Sequence, residues 1–225
     1  MSALPNVILN FHGFGDPHAG VDPDERPYWL PLDDFARLLD RIAADLDPSR
    51  IVLTFDDGNA SDLEAAALLA GRSLTGRFYV LAGRIGQRHY LSAADLRSLV
   101  AMGMTVGLHG RAHSKWPTLD DAGLADETVR ARSEIAHAAG CLVDEVAIPF
   151  GAYNRRVFGW LERQDFRRIL TSDRGPFDPT ARVWNRNTVR ADTTEAQIEA
   201  MIAGRLGATE RVRLAASQFI RRRVR

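Results

Sequence analysis

Seven short apolar segments alternate with stretches of helical periodicity, and this alternation limits the fold more than any other feature of the chain. Strands that are separated by helices become parallel neighbours, because a parallel connection needs a long crossover. The pattern therefore predicts an α/β fold, as a (β/α) barrel or as an open doubly wound sheet. The predicted strands are residues 6–12, 51–55, 77–82, 104–109, 145–148, 168–172 and 183–189, and the predicted helices are residues 32–46, 61–71, 92–102, 120–140, 154–163 and 194–206.

The length and composition of the chain predict a single domain. Its 225 residues are 45% hydrophobic and 26% charged, which is enough to bury one core without a second domain. The expected boundaries are 1–225, with a basic tail from about residue 207. The end of that tail, 219–225, could touch an anionic membrane surface or an anionic glycan, or could be a solvated terminus.

Charge, cysteine content and hydropathy exclude several classes of protein. Lysine plus arginine (29) equal aspartate plus glutamate (29), so the overall charge gives no support for a nucleic-acid partner. Cys141 is the only cysteine, which excludes an intramolecular disulfide and a cysteine-rich metal site. The sequence shows no secretory signal and no run of about 18 apolar residues, so we expect a cytoplasmic protein without a transmembrane segment, or an exported one if a leader was removed.

Two adjacent carboxylates, Asp56 and Asp57, end the second predicted strand and are followed by Gly58. Neighbouring side chains of a regular strand point to opposite faces, so the two can share one pocket only where the backbone turns, and glycine permits a turn. Side by side they repel each other unless their roles differ, most simply because a metal binds one and leaves the other free as a base. A polar turn that only closes the strand is the alternative interpretation.

Two histidines, His109 and His113, follow the fourth predicted strand at a spacing of four positions. On a strand-to-loop turn this spacing can bring both rings to one side, close enough to hold one metal ion. The carboxyl ends of parallel strands meet at one end of a barrel, where its functional groups collect. Two imidazoles and one carboxylate at neighbouring strand ends therefore predict a metal site with open positions for water and substrate.

In their order and spacing these segments resemble the signatures of the polysaccharide deacetylases, the carbohydrate esterase family four group. Thr-Phe-Asp-Asp-Gly at 54–58 is similar to the first signature, and His-x-x-x-His at 109–113 is similar to the second. The third signature usually reads Arg-x-Pro-Tyr/Phe-Gly, but residues 147–151 read Ala-Ile-Pro-Phe-Gly, so Ala147 stands where the family has arginine. The resemblance covers residues 6–190 and implies a distorted (β/α) barrel with about seven parallel strands.

The resemblance also implies an activity and a division of roles. The chain would be a metal-dependent hydrolase that removes acetyl groups from an N- or O-acetylated carbohydrate through a metal-activated water. Asp57, His109 and His113 would bind one divalent ion, for which zinc is expected and cobalt, nickel or manganese are alternatives. Asp56 would be the general base.

Contacts with the substrate are predicted near the second and third signatures. A backbone N–H in the Phe150-Gly151 segment would hold the oxyanion that forms during hydrolysis. Trp116, which closely follows His113, could offer an aromatic face to a sugar ring, although aromatic residues more often lie in the core.

Two expected catalytic groups are missing from their usual places in the family. Because Ala147 replaces the usual arginine, Arg186 in the last predicted strand becomes the candidate that orients Asp56, with an ordinary surface arginine as the alternative. No histidine follows His137, where the general acid of the family would lie. We therefore expect His12, at the end of the first strand, to be the proton donor.

The sequence thus predicts a carbohydrate deacetylase that acts on an acetylated glycan or sugar. Two alternatives stay open. A metal-dependent amidohydrolase acting on a small non-sugar amide could use the same site. A catalytically weak glycan-binding module could keep the fold and the metal while it lacks the missing arginine and acid.

Overall fold

The computed structural model describes residues 5–45, 47–205 and 216 of the chain. Eight of the described strands form one sheet that is parallel throughout, and two short ones form a separate parallel pair. The strands are β1 (Val7–Phe11), β2 (Gly13–Phe14), β3 (Trp29–Leu30), β4 (Ile51–Asp57), β5 (Gly76–Val80), β6 (Thr105–Leu108), β7 (Glu145–Ala147), β8 (Arg168–Thr171), β9 (Val183–Asn185) and β10 (Asn187–Thr188).

The large sheet is nearly closed into a barrel. Its strand order is β10–β1–β4–β5–β6–β7–β8–β9, and only Arg186 separates β9 from β10 along the chain. β9 pairs with β8 and β10 pairs with β1, so one extended segment joins the two ends of the sheet. This segment was predicted as the single strand 183–189, and the expectation of a distorted barrel with about seven parallel strands is confirmed.

Seven α-helices in the described part of the chain surround the sheet. The predicted helix 120–140 is divided by a π-helical segment, Asp126–Arg130, and the last helix ends before Leu206, which lies outside the described residues. The predicted basic tail from about 207, with its proposed membrane contact, lies almost entirely outside them too. The helices are α1 (Leu32–Asp45), α2 (Asp62–Ala70), α3 (Ala93–Ala101), α4 (Asp121–Ala125), α5 (Ala131–Ala139), α6 (Arg155–Glu162) and α7 (Glu195–Ile202).

Alternation along each strand divides the buried side chains between two cores. In β1, Val7, Leu9 and Phe11 pack under the helices, whereas Ile8 belongs to a smaller cluster inside the barrel. That inner cluster is apolar, and each large side chain in it contributes about 1.5–3 kcal/mol through its burial. Its members are Ile8, Tyr79, Ala147, Leu170 and Trp184.

A polar group of side chains lies on the same strands, nearer their C-terminal ends. Asn10, Thr54 and Asp56 follow the inner cluster at alternate positions of β1 and β4, and all three are buried. These three groups therefore lie toward the C-terminal end of the barrel, which is the end where barrel sites form. Among the described residues, no helix is both long and apolar enough to cross a bilayer.

Candidate active site

The end of β4 turns both carboxylates into one cavity. Asp57 has a φ of 78° and Gly58 has a φ of 70°, so the turn begins one residue earlier than the glycine that predicted it. A left-handed conformation at a residue with a side chain costs on the order of 1 kcal/mol or more, and such strain concentrates at functional sites. The turn cancels the alternation of the strand, and Asp56 and Asp57 line the same pocket.

Asp57, His109 and His113 form a candidate metal centre. Asp57 Oδ1 lies 3.6 Å from Nε2 of His109 and 3.4 Å from Nε2 of His113, and it is buried with no hydrogen-bond partner among the described residues. The other ring nitrogens are engaged: His109 Nδ1 lies 2.9 Å from the carbonyl oxygen of Ala147, and His113 Nδ1 lies 3.1 Å from a carboxylate oxygen of Glu25. Both rings thus aim Nε2 at the unpaired oxygen, an arrangement that fits a divalent cation.

The two histidines differ in their affinity for protons. Burial lowers the pKa of His109 despite the nearby charges of Asp56 and Asp57, so its ring is held in the neutral form that binds metals. Burial also opposes protonation of His113, but the hydrogen bond to Glu25 and the charge of Asp57 outweigh it and raise the pKa of His113. A cation therefore has to compete with a proton at His113 more than at His109.

Asp56 is held by a buried polar network. Arg186 Nη1 donates a hydrogen bond to Asp56 Oδ1 at 2.6 Å, and Asn10 Nδ2 donates one to Oδ2 at 3.1 Å. Asn10 Oδ1 in turn accepts bonds from the Thr54 hydroxyl at 2.6 Å and from Arg186 at 2.9 Å. Burial opposes the charge of Asp56, but the positive charge of Arg186, with contributions from His109 and His12, outweighs burial and holds the pKa of Asp56 far below its ordinary value.

Arg186 occupies the place that the sequence hypothesis gave it, against the carboxylate of Asp56. It is almost completely buried in the break between β9 and β10, where its Nε also donates to the carbonyl of Thr171 at 3.3 Å. The alternative of a surface arginine is thereby excluded. Ala147, where the family has arginine, belongs to the apolar inner cluster instead.

Sequence reasoning missed Asn10, which touches both Asp56 and Arg186. A signal was present, because asparagine interrupts the apolar run Val-Ile-Leu-Asn-Phe at an inward-facing position of β1. A buried amide needs partners, and here they come from residues distant in the sequence.

Glu127 organises the loop that carries His113. Its carboxylate accepts hydrogen bonds from the N–H groups of Arg111 and Ala112, both at 2.9 Å, and from the indole N–H of Trp116 at 3.2 Å. Trp116 has no exposed surface. The prediction that Trp116 contacts a sugar is therefore wrong, because its ring packs in the core and its one polar atom is used inside the protein.

Phe150 forms one wall of the cavity. Its ring is 50% exposed and stacks on His113 with 4.1 Å between centroids, and its φ is 57°. Gly151 does not offer an oxyanion donor, because its N–H bonds to the carbonyl of Ile148 at 3.0 Å. A side chain at Gly151 would also collide with Ser172, since an added Cβ would lie 2.7 Å from Cβ of that residue.

His12 also lines the cavity. Its Nε2 is 4.0 Å from Asp56 Oδ2, and its ring is 4.9 Å from the ring of Tyr28. Its side chain is 21% exposed, so it is accessible from the cavity. The cavity has a volume of about 330 Å³, and the residues that line it include His12, Glu25, Tyr28, Asp56, Asp57, His109, His113, Phe150 and Ser172.

Comparison with known families identifies one match. The family model described as polysaccharide deacetylase matches residues 43–169. This range includes Asp56 and the three residues of the candidate metal centre, but it excludes His12, Glu25 and Arg186. No curated protein is similar enough to match the chain.

Several solved structures share the fold at low sequence identity. The polysaccharide deacetylase BC0361 from Bacillus cereus is 18% identical over 87% of this chain and 68% of its own, with a TM-score of 0.74. The deacetylase PplD from Streptococcus pyogenes, solved in complex with acetate, is 16% identical over 89% of this chain and 99% of its own, with a TM-score of 0.74. IcaB from Ammonifex degensii is 22% identical over 89% of this chain and 98% of its own, with a TM-score of 0.72.

Proposed function

This chain belongs to the polysaccharide deacetylase family, and from that premise we propose that it removes acetyl groups from an N- or O-acetylated carbohydrate by metal-dependent hydrolysis. The buried, unpaired Oδ1 of Asp57 between the two histidine rings carries the proposal. Next to it, Asp56 supplies a second carboxylate that is already held by Arg186. One carboxylate for the cation and one for a proton is the combination that this hydrolysis requires.

Asp57, His109 and His113 would hold one divalent cation. When bound, such an ion polarises the acetyl carbonyl and lowers the pKa of water. Zinc is our first expectation, and cobalt, nickel and manganese suit the same nitrogen and oxygen donors.

Asp56 acts as the general base through Oδ2. Oδ1 is engaged by Arg186. Oδ2 accepts a hydrogen bond from Asn10 and also lies 3.9 Å from His109 Nε2 and 4.0 Å from His12 Nε2, on the side of the metal centre. The lowered pKa keeps Asp56 in its ionised form, which is the form that can accept a proton from the attacking water. Arg186 stabilises the ionised carboxylate and acts as a positioning residue.

Different residues of the cavity serve the oxyanion and the leaving group. With the N–H of Gly151 engaged, the N–H of Phe150 is our candidate for binding the oxyanion. His12 donates a proton from Nε2 to the amine or hydroxyl as the bond to the acetyl carbon breaks. Water supplies the new oxygen, so acetate and a free amine or hydroxyl are the products.

Release of acetate tests the proposal. Acetylated chito-oligosaccharides, sugar acetate esters and small non-sugar amides are offered to the metal-free protein and to protein loaded with zinc, cobalt, nickel or manganese. We expect acetate from at least one carbohydrate, only with metal, and an almost complete loss in Asp56→Asn with the metal still bound.

Other outcomes would point elsewhere. Cleavage of small amides alone would favour an amidohydrolase. Bound metal and bound glycan without acetate release from any substrate would favour a glycan-binding module.

A further inference from the structure

The loop between β2 and β3 brings a carboxylate to the candidate metal centre. Glu25 Oε1 lies 3.1 Å from Nδ1 of His113, while Nε2 of the same ring faces Asp57. Glu25 lies outside residues 43–169, the range that the family model matches. Neither the signatures nor the roles proposed above assign it a function.

The loop holds Glu25 firmly at this point. β2 pairs with β3, so both ends of the loop are joined by hydrogen bonds. The N–H of Glu25 donates to the carbonyl of Asp22 at 2.9 Å, and the carbonyl of Glu25 accepts from Tyr28 at 3.0 Å. The N–H of Ala191 also donates to the carbonyl of Pro27 at 2.9 Å, which ties the loop to the chain beyond β10.

The ring of His113 depends on side chains for its orientation. The backbone of His113 is in the left-handed region, with a φ of 56°, at the end of a loop that has no regular structure of its own. Phe150 covers one face of the ring, and Glu25 holds its Nδ1 edge. His109 differs, because its Nδ1 meets an uncharged backbone carbonyl.

We propose that Glu25 is a positioning residue of the metal centre, which fixes His113 with Nε2 toward the cation and strengthens that nitrogen as a donor through its negative charge. The inference rests on the proposed metal site. A ligating histidine commonly donates its second N–H to a carboxylate, and loss of that partner typically weakens metal affinity by about 10–100-fold.

Metal affinity of three variants tests the inference. The dissociation constants of zinc and cobalt are measured by competition with a chromophoric chelator, and the visible spectrum of the cobalt-loaded protein reports ligand geometry. For Glu25→Ala we expect affinity weaker by about 10–100-fold and a changed cobalt spectrum. Glu25→Gln keeps a hydrogen-bond acceptor without the negative charge, so its loss of metal affinity should be smaller than that of Glu25→Ala. Asp24→Asn is the matched control, because Asp24 lines the same cavity but, among the described residues, its carboxylate forms no ion pair with His113.

Two results would overturn the inference. One is a Glu25→Ala variant whose metal affinity stays within about twofold of the parent. The other is an Asp24→Asn variant that loses as much as Glu25→Ala, which would indicate a general effect of cavity charge. If circular dichroism shows that Glu25→Ala does not fold, the metal affinity of Glu25→Gln tests the inference instead. An unchanged metal affinity in Glu25→Gln would reject the role of the negative charge.

The same measurements separate this inference from the proposed function. A parent protein that binds the cation but releases no acetate contradicts the deacetylase proposal and leaves the Glu25 comparison valid. A parent that binds no cation contradicts both.

Discussion

Arg186 and Asp56 form a charged pair that is almost fully removed from water. Removing one member of such a pair leaves the other charge uncompensated and costs about 3–5 kcal/mol, far more than the loss of an exposed ion pair. The pair should therefore matter for stability and for catalysis at once, and an experiment has to separate the two effects.

Arg186→Ala should lower turnover by about 10²-fold or more, within the range that acid–base groups contribute, while Asp57 and the histidines still bind metal. The reason is that Asp56 would lose the partner that orients it. Turnover is measured at saturating metal, together with metal content. The double variant Asp56→Asn/Arg186→Ala should regain stability but not activity. Unchanged turnover in Arg186→Ala with metal bound would contradict the proposed role of Arg186.

His12→Ala should slow substrates with poor leaving groups more than those with good ones. An amine leaving group needs a proton, whereas an activated aryl ester does not, so the loss on the amide should be larger by about 10²-fold or more. Initial rates on an N-acetyl sugar and on an aryl acetate give the comparison. An equal loss on both substrates, or no loss, counts against His12 as the acid.

At the scale of elements, the π-helical segment between α4 and α5 holds the metal-binding loop. Glu127→Gln would place an amide against the N–H groups that now donate to the carboxylate. Each buried polar group left unpaired costs about 1–3 kcal/mol, so we expect a lower melting temperature and weaker metal binding. Both are measured beside Asp121→Asn in α4, whose side chain is 76% exposed and pairs with Arg156 of α6. Equal effects in the two variants would contradict a specific role for Glu127.

The first residue of α2 carries a buried carboxyl group. Burial, followed by the charges of Asp57 and Asp56, outweighs a backbone hydrogen bond from Asn59 and raises the pKa of Asp62 well above its ordinary value. The folded protein therefore favours protonated Asp62. Its contribution to stability is complete below the unfolded pKa of about 3.9 and is lost as pH rises through the folded pKa.

Asp62→Asn should consequently stabilise the protein at high pH. We expect its melting temperature to exceed that of the parent at pH 9 by at least about 2–4 °C, the shift that 1 kcal/mol produces in a chain of this size. The difference should shrink as pH falls toward 5. Glu64→Gln, an exposed position in the first turn of the same helix, is the control. A difference that does not change with pH would contradict a neutral Asp62.

The elements were easier to predict than their contacts. Mostly apolar segments predicted β1 and β4 to β8, because burial on both faces favours a nearly continuous apolar run, whereas β9 and β10 were predicted as the single, more polar strand 183–189. The contact of Asn10 with Asp56 was missed because the two residues lie 46 positions apart in the sequence, and a local sequence pattern does not reveal contacts between distant residues. Trp116 was misplaced because nearness to His113 in sequence says nothing about the direction of a side chain.

At the scale of the whole molecule, a cation that binds only the folded chain should stabilise all of it. Zinc at about 100 times its dissociation constant should add about 2.7 kcal/mol, or several degrees in melting temperature. The gain should diminish as pH falls through the raised pKa of His113, because a proton then competes with the cation. Calorimetry at several pH values gives the measurement. Zinc should not raise the melting temperature of Asp57→Ala. An equal rise in that variant would show that the cation binds at another site.

Arg186 sits at the seam where the chain joins the first and last strands of the barrel. A slip of one residue in the pairing of β10 with β1 would turn its side chain from the inside of the barrel to the outside. Asp56 would then keep its position but lose its counter-ion, in a molecule that still has nearly all of its core. Activity therefore depends on correct closure of the barrel, and a chain that is misassembled at its seam would lose its activity together with the stability that the buried pair provides.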